Sequence, residues 1–227
     1  MKKTLILLIL TVLLLTFGGC SSKQTEDSTV PPVSENTAEL QDKNILIAYF
    51  SSAGNSELDP TVDAVSSASL NVEASPDTGN TAYAASLIQQ HTGGELFLIE
   101  TEEKYPASSD ATIDQARTEQ NEDARPKLRS HVENMDEYEV IFLGYPNWWG
   151  TLPQPVFTFL EEYDFEGKTI IPFCTHEGSG LGRSESDLKE SLPGSTVLDG
   201  LAIRGRNVSN SEADIIAWLQ ELGFERN

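Results

Sequence analysis

Cysteine is nearly absent from this chain of 227 residues: only Cys20 and Cys174 occur. With so few thiols a disulfide framework cannot hold the fold, which must rest on a packed core. Histidine is almost as scarce, with three residues. His176-Glu177 has no second histidine at position 180, so a zincin helix is excluded. His91 and His131 lie far apart in sequence and read as solvated surface side chains. Positive charge is the third shortage, since 15 Lys and Arg face 36 Asp and Glu, a formal charge of −21. A phosphate backbone demands basic surface, so nucleic acid is excluded as a partner. The Gly-x-x-x-x-Gly-Lys-Ser/Thr pattern of a P-loop is missing as well.

The longest apolar run is at the start. Met1-Lys2-Lys3 precedes Leu5 to Phe17, and Phe17-Gly18-Gly19-Cys20 follows. A charged n-region, a short h-region and a small-residue cleavage site form an export signal over residues 1–19. The run is shorter than the roughly 17–25 residues that cross a bilayer. A Cys directly after two glycines resembles the lipobox of bacterial lipoproteins, with Phe17 where Leu is more usual. That resemblance implies lipidation of Cys20 and a location on the extracytoplasmic face of the bacterial cell membrane, held by the lipid anchor only. Residues 20–43, rich in Ser, Thr, Glu and Pro, then read as a disordered tether with a reach on the order of 25 Å. Without Lys2 and Lys3, 13 of the 15 basic residues remain against 36 acidic ones, and the mature charge is −23. Such an acidic surface suits a basic protein partner, in which charge governs encounter and orientation.

Residues 44–227 are long enough for one domain with a real core. Asn44 to Phe50 is a continuously apolar first strand, released into Ser51-Ser52-Ala53-Gly54-Asn55-Ser56. A polar stretch over 57–78 follows, where Leu70 and Val72 hint at a short strand. Thr78-Gly79-Asn80-Thr81 then opens a helix bearing Ala84, Ala85, Leu87 and Ile88, closed by Gly93. Glu95 to Glu100 is a second strand, and a charged helix runs from about Ile113 to Asp123. Val140 to Leu143 is a third, buried strand that stops at Pro146-Asn147-Trp148-Trp149-Gly150. Pro153 begins a helix with Val156, Phe157, Leu160 and Tyr163. Lys168 to Thr175 is the fourth strand, and Ser195 to Ile203 the fifth. Ser184-Glu-Ser-Asp187 and Ser209-Asn-Ser-Glu212 read as capping boxes for the last two helices. Strand and helix alternate five times, which predicts an α/β fold, a doubly wound five-stranded parallel sheet.

In such sheets ligands collect outside the carboxyl ends of the strands. Right-handed crossovers should therefore bring the loops after residues 50, 145 and 175 together. The first loop and the helix start at Gly79 offer hydroxyls and backbone amides but no Lys or Arg. A helix N-terminus holds a phosphate without a cationic side chain, through its amides and dipole. The third loop, Gly178-Ser179-Gly180-Leu181-Gly182-Arg183, is not a dinucleotide fingerprint, because Arg183 stands where the third glycine belongs. It is not a nucleophile elbow either, since Glu177 stands where glycine is needed. Its glycines permit close backbone approach to a flat ligand.

Tyr49-Phe50-Ser51, Gly79-Asn80-Thr81, Tyr145-Pro146-Asn147-Trp148-Trp149-Gly150 with Pro153, and Phe173-Cys174-Thr175 before a Gly/Ser loop together resemble the flavodoxin family, in particular its bacterial flavodoxin-like lipoproteins. The resemblance covers about residues 44–225. It implies strand order 2-1-3-4-5 and one non-covalent FMN. By position, Ser51, Ser52, Gly79, Asn80 and Thr81 would hold the phosphate. Pro146, Asn147, Trp148, Trp149 and Gly150 would flank the isoalloxazine on one side, with Trp148 stacked on it. Thr175, His176, Glu177, Gly178, Ser179 and Gly180 would line the other. Residues 55–78 split the phosphate loop, so either Gly54-Asn55-Ser56 or Gly79-Asn80-Thr81 is the true site, and the helix start favours the second. The family likeness implies an electron carrier, with no residue assigned to acid–base work and a negative field that pushes the last reduction to low potential. The alternative is an FMN-dependent NAD(P)H:quinone oxidoreductase on the same fold, for which Arg183 is the candidate phosphate ligand.

Overall fold

The computed structural model describes residues 40, 42–57 and 79–224. The signal, Cys20, the tether apart from residues 40, 42 and 43, and the hint of a strand at Leu70 and Val72 lie outside them; the end of the expected tether is packed, with Leu40 buried in the core and Lys43 2.7 Å from Glu139. In chain order come β1 (Ile45–Tyr49), α1 (Ser52–Asn55), α2 (Asn80–Thr92), β2 (Glu95–Leu98), α3 (Ser109–Asn121), β3 (Val140–Pro146), α4 (Gln154–Glu162) and β4 (Thr169–His176). Then follow α5 (Ser184–Ser191), β5 (Thr196–Val197), β6 (Leu201–Arg204) and α6 (Glu212–Glu221), with single 3₁₀ segments at Met135–Glu137 and Gly205–Asn210.

All strand pairs are parallel and their order is β2-β1-β3-β4-β5, with β6 also beside β4. Alternation along the buried strands sends successive side chains to opposite faces. Leu46, Ala48, Ile141, Leu143, Tyr145 and Ile170 pack on one side with Val156, Phe159 and Leu160 of α4 and Leu188 of α5. Ile45, Ile47, Val140, Phe142, Ile171 and Phe173 pack on the other with Ala84 and Ile88 of α2 and Ile215, Trp218 and Leu219 of α6. Each large apolar side chain so enclosed contributes about 1.5–3 kcal/mol. The sheet is rigid because both faces are covered, and its carboxyl edge is a fixed platform for loops.

Four local expectations are corrected. The last strand is not continuous over 195–203 but breaks into β5 and β6. Ile170 accepts the Leu198 N–H at 2.9 Å, so Pro172, two residues on, faces the same neighbour with no N–H to donate, and the ladder lapses there. Ser184 is not a cap. It is the first residue of α5, buried, with its hydroxyl donating to Leu181 O and accepting from Tyr145 Oη, each at 2.7 Å. Ser209 is not a cap either, because the chain turns through 205–210 and α6 begins after Ser211, whose hydroxyl donates to Val208 O at 2.7 Å. His91 is also less solvated than expected: its side chain is 18 % exposed, with Nε2 3.8 Å from Glu212 Oε1. His131 is on the surface, 3.2 Å from Glu162.

Candidate functional site

The carboxyl edge of the sheet gathers the expected segments. From α2, the buried Thr81 hydroxyl lies 3.0 Å from the buried Thr175 hydroxyl near the end of β4. Thr175 O accepts the Asn147 N–H at 2.8 Å, which ties β4 to the turn after β3. Asn147 then bridges onward: its Nδ2 donates to Gly180 O at 2.8 Å and its Oδ1 accepts from Gly150 N at 3.0 Å. Arg183 N donates to Gly150 O at 2.9 Å. Gly182 permits this seam, since its φ is +60° and a Cβ there would lie 2.3 Å from Gly150 O.

Helix α2 begins after Gly79, whose φ of 81° and ψ of 164° suit only glycine and which has no side chain with which to cap it. No acidic residue occupies its first turn. First-turn amides have no acceptor within their own helix, and they carry the positive end of the dipole. Asn80 and Thr81 are buried at this point.

The two Gly-Asn turns have different occupations. Asn55 is completely buried, and its Nδ2 donates to Ser51 O and Ile99 O, both at 3.0 Å. Its Oδ1 accepts from Thr101 N at 2.7 Å and Thr101 Oγ1 at 3.1 Å. Those four bonds exhaust the amide, which locks the first loop onto the end of β2. Ser56 bridges to Tyr105, and Ser52 Oγ lies 3.4 Å from Ser56 Oγ. Ser51 is buried at the root of this loop.

The two tryptophans diverge. Trp148 is half-buried and stands nearly perpendicular to Phe50 and Tyr105, with centroid separations of 5.3 and 5.2 Å. Trp149 is 43 % exposed, with a left-handed φ of 53° that a bulky residue rarely adopts. Its Nε1 donates to Ile113 O at 3.2 Å and the Arg117 guanidinium lies 4.2 Å over its ring. The outward indole is thus tied to α3 with one face covered by Arg117, while Trp148 is engaged with the aromatic cluster beneath. Pro146 is buried at the end of β3.

On the third loop Glu177, Gly178 and Ser179 form an exposed tip. Gly180 N donates to His176 Nδ1 at 3.1 Å, so that nitrogen carries no proton. Burial, and then Arg204, hold this imidazole below its ordinary value. Cys174 is fully buried and its thiol donates to Gly180 O at 3.3 Å. Desolvation pushes it up to about 12, so it is a thiol at neutral pH and serves packing. Arg183 sits 3.0 Å from Asp187, already neutralised.

Sequence reasoning missed Tyr105, Thr101 and Arg204. Tyr105 is buried against Phe50 and Trp148 and donates to Glu119 Oε2 at 2.7 Å. Arg204 ends β6, opposite His176 in the register with β4. A Tyr-Pro pair in a loop carries no local sign of burial, and Arg204 became legible only with the strand break. Among the described residues no group of His, Cys, Asp or Glu is placed to hold a metal, and no helix is long and apolar enough to cross a membrane.

The family model Flavodoxin_4, described as flavodoxin, matches residues 72–222. Among solved structures, a protein from Bacteroides eggerthii described as a candidate flavoprotein shares 29 % identity over 80 % of this chain and 99 % of its own, with a TM-score of 0.61. A similar protein from Bacteroides uniformis shares 28 % over 78 % of this chain and 98 % of its own, also at 0.61. A flavoprotein from Lactobacillus acidophilus, solved in complex with FMN, shares 21 % over 74 % and 97 %, with a TM-score of 0.53. No curated protein sequence matches significantly.

Proposed function

Because this chain belongs to the flavodoxin family, matched over residues 72–222, we propose that it binds one FMN non-covalently at the carboxyl edge of the sheet and carries electrons from a membrane-tethered position. The observation that carries the reading is the glycine-led start of α2, with no acidic residue in its first turn, held against β4 by the Thr81–Thr175 hydrogen bond. Amides and hydroxyls with a helix dipole behind them fit a phosphate dianion, and no acidic side chain in the first turn opposes it. Asn55 has spent its whole amide on the protein, which supports Gly79-Asn80-Thr81 as the phosphate turn.

Bound FMN supplies one- and two-electron redox chemistry. The chain contributes binding and placement. Gly79, Asn80 and Thr81 receive the phosphate, with Ser51 and Ser52 behind them. The turn Pro146, Asn147, Trp148, Trp149 and Gly150 flanks the flat ring on one side. Thr175, His176, Glu177, Gly178, Ser179 and Gly180 line the other, and Asn147 fixes the distance between the two walls through Gly180. Neutral His176 and protonated Cys174 leave the wall without titrating charge near neutral pH.

The oxidoreductase reading, an FMN-dependent NAD(P)H:quinone oxidoreductase, loses its proposed phosphate ligand, since Arg183 is paired with Asp187. Lipidated Cys20 and the tether would place the domain outside the cytoplasmic membrane. The charge of −21 favours a basic redox protein as partner. The experiment is direct: the purified protein should be yellow and release FMN on denaturation, and mixing with NADPH in a stopped-flow cell should leave the flavin colour unchanged on the seconds scale. A colourless protein after incubation with FMN would exclude the cofactor; rapid bleaching would exclude the pure carrier.

A further inference from the structure

Arginine in this acidic chain is almost always answered. Among the described residues, Arg125 pairs with Asp123 and Glu161, Arg129 with Glu100 and Arg183 with Asp187, while Arg117 lies over Trp149. Arg204 and Arg206 have neither an ion pair nor a hydrogen bond among the described residues, although acidic groups outnumber basic ones 36 to 15. Both side chains are exposed.

Their positions differ. Arg204 is the last residue of β6 and faces His176 in the β4–β6 register, at the root of the third loop. A Cβ built on Gly178 would lie 3.6 Å from Arg204 Nη2, so the guanidinium lies along the bare backbone of that loop. Arg206 follows in the 3₁₀ segment, beyond the strand. The imidazole beside Arg204 accepts the Gly180 N–H at Nδ1. In that neutral form it does not repel the guanidinium.

We infer that Arg204 is the charge partner of the reduced flavin, compensating the negative charge that the ring gains when it takes two electrons and only one proton. The inference rests on the FMN reading above. Arg204, at the end of β6, lies along the backbone of Gly178 in the loop that the FMN reading sets against the ring, which makes it a cation placed to oppose that charge. The surface carboxylates that give the chain its net charge are exposed and screened within roughly 10 Å in ordinary salt. Glu177 also acts on the neighbouring His176, but less than Arg204 does, and a cation with no ion pair among the described residues, set beside the loop, counts for more than carboxylates farther away. The final reduction is then less unfavourable than net charge alone predicts.

The test uses full-length protein reconstituted with FMN and titrated with dithionite against reference dyes. Oxidised FMN should bind R204A as it binds the parent, within a factor of about two, because the oxidised ring carries no charge for Arg204 to meet. Reduced FMN should bind R204A more weakly by on the order of tenfold, which appears as a more negative potential for the last step. R204K should recover part of the difference, and R206A should show a much smaller one. An unchanged potential in R204A that still binds FMN overturns the inference, as does an equal shift in R206A. A parent protein that takes up no FMN instead overturns the cofactor reading, so the two failures are distinct.

Discussion

The hydroxyls of Thr81 and Thr175 meet at 3.0 Å in a fully enclosed position, 94 residues apart in the chain. This contact sets the first turn of α2 against the end of β4, and the helix amides acquire their aim from it. Replacing Thr81 by valine keeps the shape and leaves the Thr175 hydroxyl without that partner. The expected cost is about 1–3 kcal/mol in stability, read from urea denaturation, together with weaker FMN uptake in a fluorescence titration.

Asn55 and Asn80 separate structure from binding. Asn55→Ala strands the partners of four hydrogen bonds and should cost roughly 2–5 kcal/mol in unfolding free energy. Asn80→Ala together with Thr81→Ala should instead lower FMN affinity at least tenfold relative to Asn55→Ala, once each is compared under conditions in which it is folded. Weaker FMN binding by folded Asn55→Ala than by the Asn80→Ala, Thr81→Ala double variant would return the phosphate site to the first loop.

Two glycines of the third loop give a paired comparison. Both Gly180 and Gly182 have left-handed φ, 59° and 60°, but only Gly182 has a backbone oxygen where a Cβ would go. Gly180→Ala should cost about 1 kcal/mol, the strain of the dihedral alone. Gly182→Ala must also push the loop off Gly150, and its thermal midpoint should fall clearly further.

The adjacent tryptophans should respond in opposite ways. Trp148→Ala opens a hole beside Phe50 and Tyr105 and should cost about 2–4 kcal/mol. Trp149→Ala removes an exposed side chain and should leave stability within about 0.5 kcal/mol. Its effect should be seen in flavin absorbance and fluorescence quenching.

The pH dependence follows from His176, whose imidazole is held below its ordinary 6.5 by burial and by Arg204. The unfolded chain thus binds its proton more readily than the folded one. Stability from this group is complete above about pH 6.5 and is lost as the pH falls from there toward the folded value. Denaturation midpoints measured on either side of pH 6.5 should fall more steeply for the parent protein than for H176Q.

Alternation of apolar strands with amphipathic helices was legible in the residues, since a buried run or a helical stripe is written within ten positions. So was the clustering of Gly, Ser, Thr, Asn and Trp after three strands. The interruption of the last strand was not, because its cause is Pro172 on a neighbouring strand, which has no N–H to give. The capping assignments at Ser184 and Ser209 failed for a related reason. A Ser-x-x-acid pattern describes one option for a hydroxyl, and Tyr145 and Leu181 claimed Ser184 for another.

By itself the sequence determined the class of fold and the edge of the sheet where a ligand belongs, because periodicity and turn composition act between neighbours. Only the tertiary structure decided that Asn55 is spent on the protein, which indole faces outward and which described arginine goes unanswered. Those outcomes depend on partners such as Thr101, Ile113 and Asp187, and a polar group's role is set by what folding brings within about 3 Å of it.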